Sequence, residues 1–527
     1  MNNKKLWTIL SVAVLALLVA AQAFTVLVVH QLNVLPSLYM TIMIAAFALL
    51  AVVVGLLLFL QFKKKPVSLV RRIIAMVLAL LLVCACALIA KLAADAYETI
   101  HAVTDTEDDD TEEEGIFVFV RVDDPAQKLE DTASYSYAII GEYDEENTSM
   151  AVAFVEKTAN ATLNVTQYDT TADVVEALWS KEVDAVILNS ISVALLMDEE
   201  NYEDLMDKVR ILYTISQDQL KELAPEQDPD EPDTTEPEST EPEYVMPEYT
   251  KPEKPKNITK DPFIVYISGS DTRNKKLRTS RSDVNILVVV NPKTKQILLL
   301  NTPRDYYIPN PRGNGALDKL THCGLYGTKN SMKALGNLYG FNVNYYAQIN
   351  FTGFETLVDA VDGVTIYSNQ SFTARKTKII KGENQLNGAQ ALDLVRERYH
   401  VSGGDNGRGK NQMKVITAII DKMTTGTTII TNYTKILESL EGMFKTSLKS
   451  EDISNLVKMQ LGDMASWNVK SFAVTGKGGS EKNYSSPKHK AYVMYPNKDS
   501  VAYASELIQR VLDGETLTNA DMTMPKK

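Results

Sequence analysis

Residues 263–305 read FIVYISGSDTRNKKLRTSRSDVNILVVVNPKTKQILLLNTPRD. Three apolar runs stand out: Phe263–Ile267, Val284–Val290 and Gln296–Leu300. Each is rich in Val, Ile and Leu, too short for a typical helix and bounded by turn residues, which is the pattern of buried strands. Asn291-Pro-Lys-Thr-Lys295 separates the second run from the third, a length that suits a hairpin loop. An antiparallel hairpin sets the start of one strand beside the end of the next. Arg281 and Asp283 are therefore expected next to Arg304 and Asp305. Asp271 and Arg273 follow the first strand and enter the loop to the second. On this reading three acids and three arginines converge at one end of one sheet. Such a cluster suits a metal-bound polyphosphate: carboxylates hold Mg2+ through hard oxygens, and guanidinium groups take phosphate oxygens two at a time. The alternative is a set of surface ion pairs, as most Asp/Arg neighbours are.

Further along, Arg396 and Arg398 are two residues apart. Residues i and i+2 share a face on a strand but not on a helix. Val395–Tyr399 is thus expected to be extended, with the helix before it ending near Leu394 and both arginines pointing one way. Asp405, Arg408 and Gln412 are spaced i, i+3, i+7, one stripe of a helix starting near Asp405. Asp405 also suits an N-cap. Gly403, Gly404, Gly407 and Gly409 leave a bare backbone that a large ligand can approach, and a helix N-terminus favours phosphate. Lys319 and His322 lie in a polar loop, ALDKLTH, within reach of a sugar or phosphate; the plainer reading of His322 is a hydrogen-bonded loop residue. Of the three cysteines, Cys84 and Cys86 sit in an apolar run and Cys323 stands alone, so no disulfide framework exists. Cys323 reads as a small buried side chain.

The rest of the 527 residues divides by charge. Residues 1–97 carry +7, residues 98–256 carry −32 and residues 257–527 carry +12, for a total of −13. The part with the arginine motifs is basic and should attract anions more than the whole-chain balance suggests. No helix-turn-helix, zinc or RNA-binding signature supports a nucleic acid as that anion. Leu6–Val29, Leu38–Phe62 and Ile73–Ala90 are three apolar runs near or above the ~18–20 residues that span a bilayer. Lys4-Lys5, Lys63-Lys64-Lys65 and Arg71-Arg72 flank them, while the link between the first two has no Lys or Arg. The positive-inside rule then puts the N-terminus inside and everything after about residue 93 outside.

We expect a multi-pass anchor over 1–97 and a small α/β accessory domain over 98–223. The latter has strands at Gly115–Val122, Ser136–Ile140 and Val183–Leu188 and a helix at Asp173–Lys181. The acidic run Asp105–Glu114 reads as a solvated connector. Glu-Pro repeats over 224–260 read as a stiff acidic linker or an inserted loop. Over 261–515 strands and helices alternate, which fits an α-β-α core with a mixed sheet. Helices are expected at Asn330–Leu338, Thr352–Val361, from Asn387, and at Asn411–Met423, Ile436–Phe444, Ile453–Leu461 and Ser500–Leu512. Strands are expected at Val343–Ile349, Val364–Tyr367 and Val469–Val474. Residues 516–527 read as a frayed tail.

Gly269-Ser-Asp-Thr-Arg273, Ser280-Arg-Ser-Asp-Val284 and Thr302-Pro-Arg-Asp305 closely resemble the core motifs of the LytR–CpsA–Psr family. So do Asp318-Lys-Leu-Thr-His322, Val395-Arg-Glu-Arg398 and Gly404-Asp-Asn-Gly-Arg408. The likeness covers roughly residues 261–425. It implies an extracytoplasmic, Mg2+-dependent phosphotransferase that moves a glycopolymer, of teichoic acid or capsular polysaccharide type, from a polyprenyl-diphosphate carrier to peptidoglycan. A weak pyrophosphatase activity is expected where water replaces the acceptor. The resemblance implies that Asp271 and Asp283 hold the metal and that Arg273, Arg304, Lys319, Arg396, Arg398, Arg408 and Gln412 bind the donor. Arg281, Arg304, Asp305, Asp405 and Arg408 would serve the reaction, with Asp405 and Asp305 as candidate bases. The rivals are a non-catalytic sensor of prenyl phosphates, which needs the arginines but no base, and a transcriptional regulator, which the inferred topology disfavours.

Overall fold

The computed structural model describes residues 3–60, 68–104, 115–140, 145–197, 202, 205–216, 219–220, 249–270, 280–425, 432, 435–436 and 442–525. Three N-terminal helices, α1 (Asn3–Leu32), α2 (Ser37–Phe59) and α3 (Leu69–Thr104), are long and apolar enough to cross a membrane. Their contacts use small side chains: Ala75, Ala79, Ala93 and Ala96 are buried among Leu18, Val29, Leu32, Val54 and Leu58. Thr25 donates to the Cys86 carbonyl across the α1–α3 contact at 3.0 Å. Small residues let helices approach closely where no water drives them together.

A five-stranded sheet follows, built from β1 (Gly115–Arg121), β2 (Ser136–Ile140), β3 (Asn164–Tyr168), β4 (Ala185–Asn189) and β5 (Val209–Ser216) in the order β3-β2-β4-β1-β5. Helices α4 (Glu145–Ala159) and α5 (Thr171–Trp179) cover opposite faces. Thr170 caps α5 by accepting from Asp173 N. Alternate residues of β1 divide between the two faces, Phe119 on one and Ile116, Val118 and Val120 on the other, as a period of two requires.

The larger sheet has six strands in the order β16-β11-β6-β7-β8-β17. They are β6 (Phe263–Ser270), β7 (Val284–Asn291), β8 (Gln296–Asn301), β11 (Tyr345–Asn350), β16 (Phe444–Thr446) and β17 (Asn468–Ala473). The expected hairpin is present: β7 pairs antiparallel with β8, Ile286 opposite Asn301 and Asn291 opposite Gln296. β6 joins β7 antiparallel, β11 runs parallel to β6 and β17 parallel to β8, so the sheet is mixed. Every residue of β8 is buried, because helices cover both faces. On one face Ile264, Tyr266, Leu287, Val289, Leu298 and Leu300 meet α6 (Thr328–Tyr339) and α11 (Lys498–Leu512). On the other, Val265, Ile286, Val288, Ile297 and Leu299 meet α9 (Gly404–Thr424) and α10 (Ser450–Asp463) through Met413, Ile416, Ile420 and Leu456. This is the α-β-α sandwich. A second apolar cluster forms where α7 (Phe351–Ala360) and α8 (Gly388–Arg396) pack on α9, β12 (Val364–Ser368), β13 (Phe372–Ala374), β14 (Thr377–Ile379) and β15 (Gly382–Leu386). Asn387 caps α8 in a capping box with Gln390.

Several expectations need correction. Residues 516–525 are not frayed: Leu517 is buried, its N–H donates to Gln296 Oε1 at 3.0 Å, and Asp521 pairs with Arg510 at 2.9 Å. Most of the linker, and the acidic run 105–114, lie outside the described residues. The linker's last residues are docked, with Asn342 N donating to Lys251 O at 2.7 Å and Asn342 Nδ2 to Pro252 O at 3.1 Å. Of the helix expected at Ile436–Phe444, residues 437–441 lie outside the described residues and Phe444 opens β16 instead. The sequence reading missed a long two-stranded ribbon, β18 (Gly476–Asn483) with β19 (Ser486–Pro496), and the short pair β9 (Tyr307–Pro309) and β10 (Leu317–Lys319).

Candidate active site

The carboxyl ends of β6 and β8 and the start of β7 lie together at one end of the sheet. Behind that end, Tyr266 Oη donates to Asn285 Oδ1 at 2.7 Å and lies 2.9 Å from Ser282 Oγ, which is itself 2.8 Å from Ser268 Oγ. Asp283 N donates to Gly269 O at 2.9 Å and Thr302 N to Asn285 O at 2.9 Å. These bonds fix the backbone on either side of the charged residues, so the site stands on strands rather than on free loops.

Arg304 Nη1 donates to Asp283 Oδ1 at 2.7 Å. Arg304 Nε lies 3.7 Å from Asp305 Oδ2, and Lys319 Nζ lies 3.5 Å from Asp305 Oδ1. Arg408 Nη2 meets Asp405 Oδ1 at 2.6 Å. Arg281 is 6% exposed, and its charge is felt by Asp283. The structure thus brings together Arg281, Asp283, Arg304, Asp305, Lys319, Asp405 and Arg408. Asp271 and Arg273 lie outside the described residues.

Burial and charge act against each other here. Burial opposes ionisation of Asp283, but the guanidinium groups of Arg304, Arg408 and Arg281 outweigh it and hold the carboxyl below its ordinary value. Burial likewise opposes the charge of Arg304, yet Asp283 and Asp305 hold its pKa above the ordinary value. Burial pushes Arg281 down to about 10, which leaves it charged at neutral pH. Asp405 is different: burial raises its pKa more than Arg408 lowers it. The cluster holds four cations against three carboxylates among its described members. A surplus of positive charge drawn largely out of water is costly unless an anion answers it, which makes the cluster a candidate anion site.

Other expected residues have different surroundings. Val395 and Arg396 are not extended: α8 runs through Arg396, and the extended backbone begins only at its C-cap, Glu397. Arg396 stacks over Phe351 at 4.3 Å, while Arg398 is exposed and stacks on Tyr399 at 4.8 Å. The two arginines therefore do not share one strand face. Between them Glu397 is buried and accepts from the N–H groups of Arg375, Tyr399 and His400 at 2.9, 2.7 and 3.0 Å. Burial opposes its charge, but those backbone donors bring its pKa down to about 2. The flanking arginines drew the reading away from Glu397, and no spacing rule reveals a carboxylate that clasps backbone.

Asp405 is not an N-cap. α9 begins at Gly404, with Gly403 as N-cap at φ 91°, a left-handed conformation that suits glycine. Gly407 and Gly409 are not bare for a ligand: a Cβ there would meet Ser402 O at 2.5 Å and Asn301 Nδ2 at 2.3 Å. They let α9 press against β8 and its own lead-in loop, which sets Arg408 beside the sheet end. Gln412 is buried and donates to Val395 O at 3.2 Å, tying α9 to the end of α8. His322 is a buried hydrogen-bonded residue, its Nδ1 2.8 Å from Asp318 Oδ1. Asp318 Oδ2 also accepts from Asn310 and Ser485 at 3.1 and 2.6 Å. Cys323 is buried, and burial raises its thiol well above the ordinary value, so it is no ready nucleophile. Among the described residues no group of three or more His, Cys, Asp or Glu side chains is placed to share a metal.

The LytR_cpsA_psr family model matches residues 234–500. The chain belongs to the LytR–CpsA–Psr family. All the motifs above fall inside the matched span, and the anchor helices and five-stranded sheet fall before it. The chain is 35% identical over 199 residues to a protein of Enterococcus faecalis named polyisoprenyl-teichoic acid–peptidoglycan teichoic acid transferase TagU, a match covering 37% of this chain and 65% of that one. It is 32% identical over 222 residues to the protein of the same name from Bacillus subtilis, covering 42% and 70%. The chain thus spans just under two thirds of the length of the first relative. A crystal structure of B. subtilis TagV aligns with 25% identity and a TM-score of 0.41, over 49% of this chain and 99% of that one.

Proposed function

We propose that this member of the family is a membrane-anchored phosphotransferase. It passes a glycan phosphate from a prenyl diphosphate to a sugar hydroxyl of peptidoglycan on the outer side of the membrane. One observation carries this reading: the cluster of buried Arg281 and Arg408 with half-buried Arg304 and Lys319 outnumbers its carboxylates in a family whose named relatives act on polyisoprenyl-linked polymers.

In this reading the acceptor hydroxyl attacks, in line, the phosphorus nearer the sugar. The bond from that phosphorus to the bridging oxygen breaks, and prenyl monophosphate departs with the bond's electron pair. The arginines and Lys319 offset charge gathering on the phosphoryl oxygens and the leaving group. Arg396, stacked on Phe351 where the α7–α8 apolar cluster meets the polar end, suits the junction of prenyl chain and diphosphate. Asp405 takes the hydroxyl proton, because its raised pKa brings it nearer the working range of a base. Asp305 is the alternative base.

Asp283, held ionised with a hard carboxylate oxygen, would hold Mg2+ together with Asp271. When bound, the ion supplies positive charge to the diphosphate. Asp283→Ala should lose the Mg2+-dependent rise in melting temperature; an equal rise in variant and parent would place the ion elsewhere.

Two observations support the outer location. Basic residues flank the ends of α1 and α2–α3 opposite to the α1–α2 link. That link faces α10, with Lys458 Nζ 2.9 Å from Asn33 Oδ1 and Ser454 Oγ 3.4 Å from Leu32 O. A phosphatase fusion at residue 250 should be active only outside; activity only inside would contradict the topology. The reaction itself is tested by incubating the full chain in detergent with a prenyl-diphosphate glycan, with and without peptidoglycan. Fast release of prenyl monophosphate should require the acceptor. Tight lipid binding with no release under either condition would make the protein a sensor.

A further inference from the structure

The β18–β19 ribbon was not foreseen and takes no part in the diphosphate cluster. It is nevertheless fastened to it: Met494 N donates to Asp305 O at 2.7 Å, and Met494 bridges Tyr306. Tyr492 lies two residues before Met494 and so shares its face of β19. Met494 is buried, whereas Tyr492 is 53% exposed. Across the ribbon its ring rests on Gly478, where a Cβ would stand 3.0 Å from Cε2 and Oη. The bare glycine lets the ring lie against the backbone while about half of the residue stays exposed. Exposed Ser480 is its direct partner in the ladder. The charges of Asp305 and Asp405 reach the hydroxyl, which, after burial, they raise in pKa. The strand that carries the ring is thus tied to the carboxylate side of the cluster, where the proposed reaction deprotonates the incoming hydroxyl.

We infer that Tyr492, seated on Gly478 beside Ser480, is the platform on which a sugar ring of the acceptor glycan strand stacks. A sugar presents an apolar C–H face edged by hydroxyls. A rigid aromatic ring with a polar rim matches it and loses little conformational entropy on binding. The occupant is the acceptor rather than the lipid, because the ribbon is joined to Asp305, on the carboxylate side of the cluster. The apolar cluster suited to a prenyl chain is built instead from α7, α8 and α9. The inference rests on the transferase reading and names the surface that binds its second substrate.

The test is steady-state transfer by the full chain in detergent, varying donor and peptidoglycan separately. Tyr492→Ala should raise the acceptor half-saturation about tenfold, with the donor half-saturation and the acceptor-free release of prenyl monophosphate unchanged. Tyr492→Phe should stay within about twofold of the parent, because the ring and not the hydroxyl does the stacking. Tyr492→Trp should retain binding as well. An unchanged acceptor half-saturation in Tyr492→Ala would overturn the inference. So would a Phe variant as impaired as Ala, which would give the hydroxyl a chemical role. A parent enzyme that transfers nothing would instead refute the transferase reading itself.

Discussion

Among the described residues the two larger sheets are both covered by helices, and they differ most in what they bury. In the five-stranded sheet and the helical segments around it, the buried polar residues among the described ones are Thr132 and Ser192, both hydroxyls. In the six-stranded sheet and its helices, Arg281, Asp305, Asp318, His322, Glu397 and Arg408 are buried. Both sheets obey the same rules of alternation, capping and two-sided helix cover. The contrast teaches that architecture places a site but does not make one. Charges kept out of water at the end of the sheet mark the chemistry.

The largest expected effect breaks the contrast at its centre. Arg304→Ala should lower transfer by about a thousandfold, the scale of losing a preorganised group that answers transition-state charge. It should also cost about 1–3 kcal/mol of stability, since half-buried Asp283 loses its hydrogen-bonded partner. The matching change in the other sheet is Arg121→Ala, whose Nη1 donates to Val183 O at 2.8 Å. It should cost about 1–3 kcal/mol and leave the transfer rate per folded molecule unchanged. Chemical melts and single-turnover rates on both variants check the pair.

Asp405→Asn should fold normally and lower the rate by about a hundredfold or more. In the parent the rate should rise with pH through the pKa of Asp405, which burial places above the ordinary carboxylate value. A parent profile that is flat across the acid range would move the proton to another group.

Glu397→Gln removes a charge that backbone donors stabilise, at a cost of about 1–3 kcal/mol. The folded pKa is depressed to about 2. Its stabilisation is therefore complete above the unfolded value of roughly 4.3. It is lost as pH falls from there to about 2. The variant should lack that part of the acid dependence of the melting temperature.

The smallest effect sharpens the likeness instead. Asn387→Ala at the start of α8 and Thr170→Ala at the start of α5 remove equivalent side-chain caps. Each should cost about 1 kcal/mol, and neither should change the chemistry per folded molecule.

Much of this contrast could be read from the chain. The β6–β7–β8 run is legible because both faces of the sheet are covered, so each strand is a continuous apolar run. The meeting of Asp283 with Arg304 follows from hairpin geometry alone. The ribbon was illegible because Gly476, Gly478 and Gly479 depress strand propensity. Those glycines are required by Met494, Tyr492 and Tyr495 packing across the ladder, a tertiary reason. Arg396 was misread because a helix that continues one residue past its apolar stripe looks like a strand start. The roles of Gly407 and Gly409 depend on Ser402 and Asn301, which spacing within one helix cannot reveal.

The central claim is that the clustered cations at the end of the larger sheet catalyse phosphoryl transfer to the cell wall. It is tested most directly by mass spectrometry of peptidoglycan after reaction with a donor carrying heavy oxygen in the diphosphate bridge. The account predicts a new phosphodiester between glycan and wall, with the heavy oxygen recovered in prenyl monophosphate, and neither product from Arg304→Ala. Intact donor held tightly by the parent, with no new phosphodiester, would contradict it.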